Sequence, residues 1–157
     1  MADIRTFDAA DKLTQAAADL ILETAKEAVR DRGRFTLSLS GGPTFAMLYR
    51  LLACEPYSAR MPREQTFVFW CDERWVADTE PESNQRMARE ELLDRLAIPR
   101  DQIRTILTAG LEPADSAEVA QRHISELFDG PARPDIVLLS MADDGHTVAL
   151  FNASGVL

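Results

Sequence analysis

The sequence predicts an α/β fold: an open parallel sheet with helices on both faces. Strand-like and helix-like segments alternate along the chain, the pattern that builds parallel sheets. Three apolar runs read as buried strands: Phe35 to Ser40, Gln65 to Cys71 and Asp135 to Met141. Each of the three is followed by a polar loop. No internal repeat, low-complexity tract or linker interrupts the 157 residues, which are expected to form one domain, 1–157, with a real core.

The elements follow in order. Asp3 to Phe7 reads as a short edge strand. From Asp8 to Arg30 the pattern is helical, with Leu13, Ala17, Leu20, Thr24 and Ala28 spaced to share one side and Gly33 as the stop. Ser40-Gly41-Gly42-Pro43 ends the Phe35 to Ser40 strand, and Thr44 is placed to cap a helix through Leu48, Leu51 and Leu52. The Gln65 to Cys71 strand ends in Asp72-Glu73-Arg74. Ser83 is a good N-cap for a helix through Met87, Leu92, Leu93 and Leu96. Ile103 to Leu107 reads as a shorter strand, Ser116 to Phe128 as a helix, and Asp135 to Met141 as the last strand.

Composition narrows the function. The net charge of −9 argues against a nucleic-acid partner, which normally meets a basic face. No apolar run is long enough to span a bilayer, and the N-terminus lacks a signal-peptide core. Cys54 and Cys71 lack a CxxC spacing and read as reduced thiols, so a cytoplasmic location is expected. Of the 17 basic residues only Lys12 and Lys26 are lysine. Arginine suits two-pronged recognition of phosphate or carboxylate.

In a parallel sheet, strand ends of one polarity share an edge, so the three loops are expected to converge. Paired glycines in Ser40-Gly41-Gly42 let a backbone approach a ligand closely, and a helix N-terminus offers free N–H groups. That suits a phosphate, and equally a tight turn with a Ser/Thr cap. The loop matches neither a GxGxxG nor a Walker A motif. Asp72 and Glu73 beside Arg74 allow one carboxylate to hold the guanidinium while it grips an anion, or a plain ion pair at a sheet edge. Asp143-Asp144-Gly145-His146-Thr147 is the candidate catalytic loop. An imidazole titrates near neutral pH, with an unperturbed pKa of about 6.5, and a carboxylate neighbour can orient it. His123, in a polar helix, reads as a surface residue. No second histidine lies near enough in sequence to His146 to suggest a zinc site.

Taken together, the loops resemble the 6-phosphogluconolactonase branch of the glucosamine-6-phosphate isomerase/6-phosphogluconolactonase family. The matching segments are Ser40-Gly41-Gly42, Asp72-Glu73-Arg74 with Ser83-Asn84, and Asp144-Gly145-His146-Thr147 with Leu150-Phe151. Arg74 stands where the deaminase branch usually has tyrosine, which makes an amino-sugar-phosphate deaminase the weaker alternative. The resemblance implies a Rossmann-like fold and hydrolysis of 6-phospho-D-glucono-1,5-lactone in the pentose phosphate pathway, without metal, cofactor or covalent intermediate. It implies His146 as general base and Asp144 as its orienting partner. Ser40, Gly41, Gly42, Asp72, Arg74, Gly145 and Thr147 would line the substrate site.

The chain departs from the family pattern at Ser140 and Ala142, where glycines are usual, at Phe45, where proline is usual, and at Asn152-Ala153 in place of Pro-Gly. A Cβ at Ser140 or Ala142 either blocks ligand approach or is harmless, depending on the local φ. Family members also continue past this length, so the sheet is expected to lack their C-terminal strands. An unpaired edge on the last strand then invites self-association or low stability. A truncated, inactive fragment, or a weak sugar-phosphate binder, is the alternative to a working lactonase.

Overall fold

The computed structural model describes residues 3–150. Its strands are β1 (Phe35–Leu39), β2 (Thr66–Trp70), β3 (Ile103–Arg104) and β4 (Ile136–Val137). All pair in parallel, in the order β3-β2-β1-β4. The β1–β2 register runs from Phe35 opposite Thr66 to Leu39 opposite Trp70, so the two strands end level. β4 pairs with β1 at Leu37 and Ser38, and Leu138 N–H donates to the Ser38 carbonyl at 3.0 Å.

The chain steps from β1 to β2 to β3 in one direction, then returns to the far side of β1 as β4. Crossovers between parallel strands are right-handed. The reversal therefore puts the last connection on the opposite face of the sheet and opens a crevice beyond the ends of β1 and β4.

On one face lie α1 (Ala10–Arg32), α2 (Pro43–Leu52) and the short α3 (Tyr57–Arg60). They are joined by a continuous helical segment made of α4 (Asn84–Ala88), a π-helical turn (Arg89–Leu93) and α5 (Asp94–Leu96). Their core partners on the sheet are Phe35, Leu37, Leu39, Val68 and Trp70. Alternation sends Thr36 and Ser38 to the other face, where both are buried. Thr36 receives a hydrogen bond from Asp135 N–H, and its own N–H and hydroxyl donate to the Asp135 carboxylate. The connection to β4 contains α6 (Pro113–Ser125), which packs against β3.

Several expected elements change. Asp3 to Phe7 is not a strand; its residues are exposed and pair with nothing in the sheet. The buried side of α1 is Thr14, Ala18, Ile21, Leu22, Ala25 and Ala28, while Leu13 and Leu20 are exposed. Alanine-rich α1 offers two apolar stripes, and the one with Ala18, Ala25 and Ala28 allows the closer approach. Gly33 ends the helix as expected. The strand expected from Ile103 to Leu107 pairs only over Ile103–Arg104, and that from Asp135 to Met141 only over Ile136–Val137. Edge strands keep ladder geometry only where a neighbour supplies hydrogen bonds. The last helix begins at Pro113, three residues before the expected Ser116, because proline suits a first turn. His123 on α6 is half-buried rather than fully exposed.

Candidate active site

The first loop leaves β1 at Ser40, which is buried. Gly42 is the N-cap of α2 with φ 118°, a conformation that side chains rarely adopt. Thr44 therefore does not cap the helix; it lies within the first turn, after Pro43. No side chain caps α2, so the first N–H groups of the helix are left without a side-chain acceptor, the condition that suits a helix start to an anion. A Cβ on Gly41 would sit 1.8 Å from Asn84 Oδ1. Glycine is required there by the close approach of the side chain of Asn84, the first residue of α4.

The second loop, after β2, holds Asp72, Glu73 and Arg74. The Glu73 carboxylate accepts from Arg74 N–H at 2.7 Å, Asn84 N–H at 2.7 Å, Gln85 N–H at 2.8 Å and the Ser83 hydroxyl at 3.1 Å. Ser83 is the expected N-cap: its Oγ accepts from Arg86 N–H. Glu73 is thus a helix cap and holds the backbone of Arg74, not its guanidinium. The Arg74 side chain is exposed. Asp72 is half-buried, and its Oδ1 is fully enclosed without a hydrogen-bond partner. Burial raises the Asp72 carboxyl above the ordinary range, with Arg74 opposing the shift. Asn84 Nδ2 donates to the Asp72 carbonyl at 3.2 Å, which ties α4 to the end of β2.

Under these loops lies Cys71. Its Sγ is 2.9 Å from Ser38 Oγ and donates to the Leu138 carbonyl at 3.5 Å, so one thiol links the ends of β2, β1 and β4. Burial pushes this thiol above its usual range, which favours the packed, unreactive form. Cys54 and Cys71 are both free.

The third loop folds back on itself. Met141 and Thr147 form an antiparallel bridge, Ala142 N–H donates to the His146 carbonyl at 3.0 Å, and Gly145 N–H donates to Ala142 at 2.9 Å. Gly145 has φ 84°. This turn brings Asp144 Oδ1 to 2.6 Å from His146 Nδ1, and the same oxygen accepts from His146 N–H at 3.2 Å. The backbone bond first, and the ring second, hold the Asp144 carboxyl below its ordinary range. His146 and Thr147 are half-buried, while Asp144 is exposed. Among the described residues, the non-glycines with positive φ are Ala97 and Val148. Ser140 and Ala142 therefore carry their Cβ atoms without left-handed strain. The resemblance at Phe151 and the departure at Asn152-Ala153 lie outside the described residues.

Ser40 to Gly42, Asp72 to Arg74 and Asp144 to Thr147 thus follow neighbouring parallel strands at one sheet edge. The edge is open. A cavity of about 390 Å³ lies towards β3, lined by Asp78, Arg89, Arg100 and Thr105, and holds none of these residues. The three sequence motifs meet instead at the switch point of the sheet, beyond the ends of β2, β1 and β4. Among the described residues, no group of His, Cys, Asp and Glu is arranged to hold a metal ion. Sequence reasoning overlooked the Glu73 cap, the Asn84–Gly41 contact and Tyr49, whose hydroxyl bonds to Ser40. The available signal for the cap was Ser83 at the start of a helix whose first turn has no acidic residue of its own; nothing local marks the other two.

The model of the family of glucosamine-6-phosphate isomerases and 6-phosphogluconolactonases matches residues 8–157. A 6-phosphogluconolactonase of Nostoc sp. is 40% identical over 144 residues, covering 88% of this chain and 58% of its own length. The rat 6-phosphogluconolactonase is 36% identical over 155 residues, with 94% and 59% covered. The solved 6-phosphogluconolactonase of Trypanosoma brucei superposes with a TM-score of 0.85 at 27% identity, covering 99% of this chain and 65% of that one. The chain therefore spans less than two thirds of the length of these relatives. With its α/β sheet, its three strand-end loops and this match over nearly all its residues, the chain belongs to the glucosamine-6-phosphate isomerase/6-phosphogluconolactonase family.

Proposed function

We propose that the chain carries the catalytic loops of a 6-phosphogluconolactonase and hydrolyses 6-phospho-D-glucono-1,5-lactone to 6-phosphogluconate, a step of the pentose phosphate pathway. The observation that carries this reading is the 2.6 Å contact between Asp144 Oδ1 and His146 Nδ1 at the switch point of the sheet. With Nδ1 engaged, His146 Nε2 is the nitrogen that accepts a proton from water. The water oxygen bonds to the lactone carbonyl carbon. The ring C–O bond then breaks, and the proton passes to the departing sugar hydroxyl. Asp144 orients the imidazole and stabilises its protonated form.

The remaining loops supply binding. Ser40, Gly41, Gly42 and the uncapped start of α2 would receive the substrate's phosphate, and Arg74 is an exposed guanidinium on the neighbouring loop. The enclosed, unpartnered Asp72 Oδ1 is an acceptor for a sugar hydroxyl. Gly145 gives the turn that aims His146, and half-buried Thr147 closes it.

A pH-indicator assay with fresh lactone, corrected for spontaneous hydrolysis, tests the reading. His146→Ala is expected to lower turnover by about 10²–10⁴-fold with an unchanged melting temperature. Near-normal turnover in that variant sinks the assignment. A second reading, binding of sugar phosphate without turnover, is favoured by the exposed Val137 and Leu139 beside the catalytic loop. It predicts 6-phosphogluconate binding in a chain that leaves the lactone rate at background.

The same proposal includes a single domain without nucleic-acid or membrane partners in the cytoplasm. It is supported by the net charge of −9, by two free cysteines, and by the lack, among the described residues, of a helix long and apolar enough to cross a membrane. It also includes self-association through β4, an edge strand whose Val137 is 43% exposed.

A further inference from the structure

We infer that Tyr49 is a positioning residue for the anion-binding loop: its hydroxyl locks the backbone of Ser40, so that Gly41, Gly42 and the first turn of α2 present their N–H groups in one fixed arrangement. The inference rests on the proposed lactonase site for its ligand, but not for its geometry.

Ser40 stands just past the end of β1. The last ladder contact there is Cys71 N–H to the Leu39 carbonyl at 3.1 Å. Beyond it, the peptide groups of Ser40 have no strand partner, yet the residue is 1% exposed. A buried N–H or C=O without a partner is strongly disfavoured. Tyr49 meets both needs. Its Oη accepts from Ser40 N–H at 3.1 Å and donates to the Ser40 carbonyl at 2.8 Å.

The source of this hydroxyl matters. Tyr49 lies on α2, the helix that begins at Gly42. Strand end, loop and helix are therefore closed into a ring by one phenol. The ring of Phe45 stacks on that of Tyr49, with centroids 6.3 Å apart and planes at 22°. Tyr49 is fully buried, and burial holds the phenol protonated, so it remains a donor. On the other side, Asn84 presses against Gly41. The loop is fixed between Tyr49 and Asn84, and Tyr49 itself is shut off from solvent.

Tyr49→Phe removes only Oη. In the whole chain, amide hydrogen exchange at Ser40 and Gly41 is expected to rise about tenfold or more, with the amides of β1 and β2 cores unchanged. 6-Phosphogluconate, titrated by calorimetry or NMR, is expected to bind about tenfold more weakly, and KM should rise with little change in kcat. A lower melting temperature with loop exchange and affinity both within about twofold of the parent means simple packing, and overturns the inference. Faster loop exchange with unchanged affinity overturns it too. If the parent chain binds no sugar phosphate, the functional proposal fails, and the exchange measurement alone decides Tyr49: a local rise supports it and a uniform rise does not. Should the variant not fold, the parent chain still gives an answer. A slowly exchanging hydroxyl proton with a cross-relaxation peak to the Ser40 amide is expected, and its absence counts against the role.

Discussion

At the scale of single residues, the carboxylates of this site differ by environment rather than by type. Asp144 is exposed, yet its carboxyl is held below the ordinary range because His146 donates to it from the backbone and the ring. A group whose folded pKa is depressed contributes stability above its unfolded value, about 3.9, and loses it as pH falls through the folded one. The 142–147 turn should therefore loosen only in acid. A carbon-detected NMR titration of Asp144 is expected to give a midpoint below that of a model peptide. In His146→Ala the midpoint should return only part of the way, since the backbone donor remains and is the larger cause. A midpoint at the peptide value in the parent chain would contradict this account. Gly41 poses a steric question instead. Gly41→Ala places a Cβ against Asn84, which cannot swing away because Nδ2 is bonded to Asp72 and its N–H to Glu73. The expected loss is about 1–3 kcal/mol, read by chemical denaturation, together with weaker sugar-phosphate binding.

At the scale of elements, helix ends build the site. The N-terminus of α2 is left without a side-chain cap, which keeps it available to an anion. The N-terminus of α4 is closed by Glu73 and Ser83 together. Negative charge at a helix start is favourable, and bonds to a charged acceptor are the stronger ones. Glu73→Ala removes four hydrogen bonds and is expected to cost about 2–4 kcal/mol, seen as a lower denaturation midpoint with an unchanged slope. A variant within about 0.5 kcal/mol of the parent would show that the cap is dispensable. Because Glu73 also holds Arg74 N–H, the same variant should weaken anion binding in the fraction that remains folded. Element existence was legible in the sequence for α1, β1, β2 and the helix after Ser83, whose apolar periods are long. It was less legible at the sheet edges. The Ile103 and Asp135 segments read as longer strands than they are, since their pairing depends on neighbours that no local pattern encodes.

At the scale of the whole molecule, β4 leads into the proposed catalytic loop and is also an edge of the sheet among the described residues. One side is bonded to β1 and anchored by Asp135, which receives Thr36 N–H, the Thr36 hydroxyl and Arg32. The other edge has no partner strand among the described residues, and Val137, Leu139 and Met141 are exposed. An apolar edge of this kind templates association. Light scattering after size exclusion is expected to show concentration-dependent oligomers, reduced by Leu139→Lys. A parent chain that stays monomeric at high concentration removes this proposal without touching the catalytic one.

The sequence by itself determined the α/β class, the three strand-end motifs and a histidine beside carboxylates in the last of them. These follow from short-range regularities: apolar period, glycine placement, and the clustering of polar residues after each strand. Tertiary structure alone decided that Glu73 caps a helix, that Asn84 fills the space over Gly41, that Tyr49 answers the buried peptide of Ser40, and that α1 buries its alanine-rich stripe. Each of these depends on residues brought together by the strand order and by close packing, and neither is written in the local pattern of the chain.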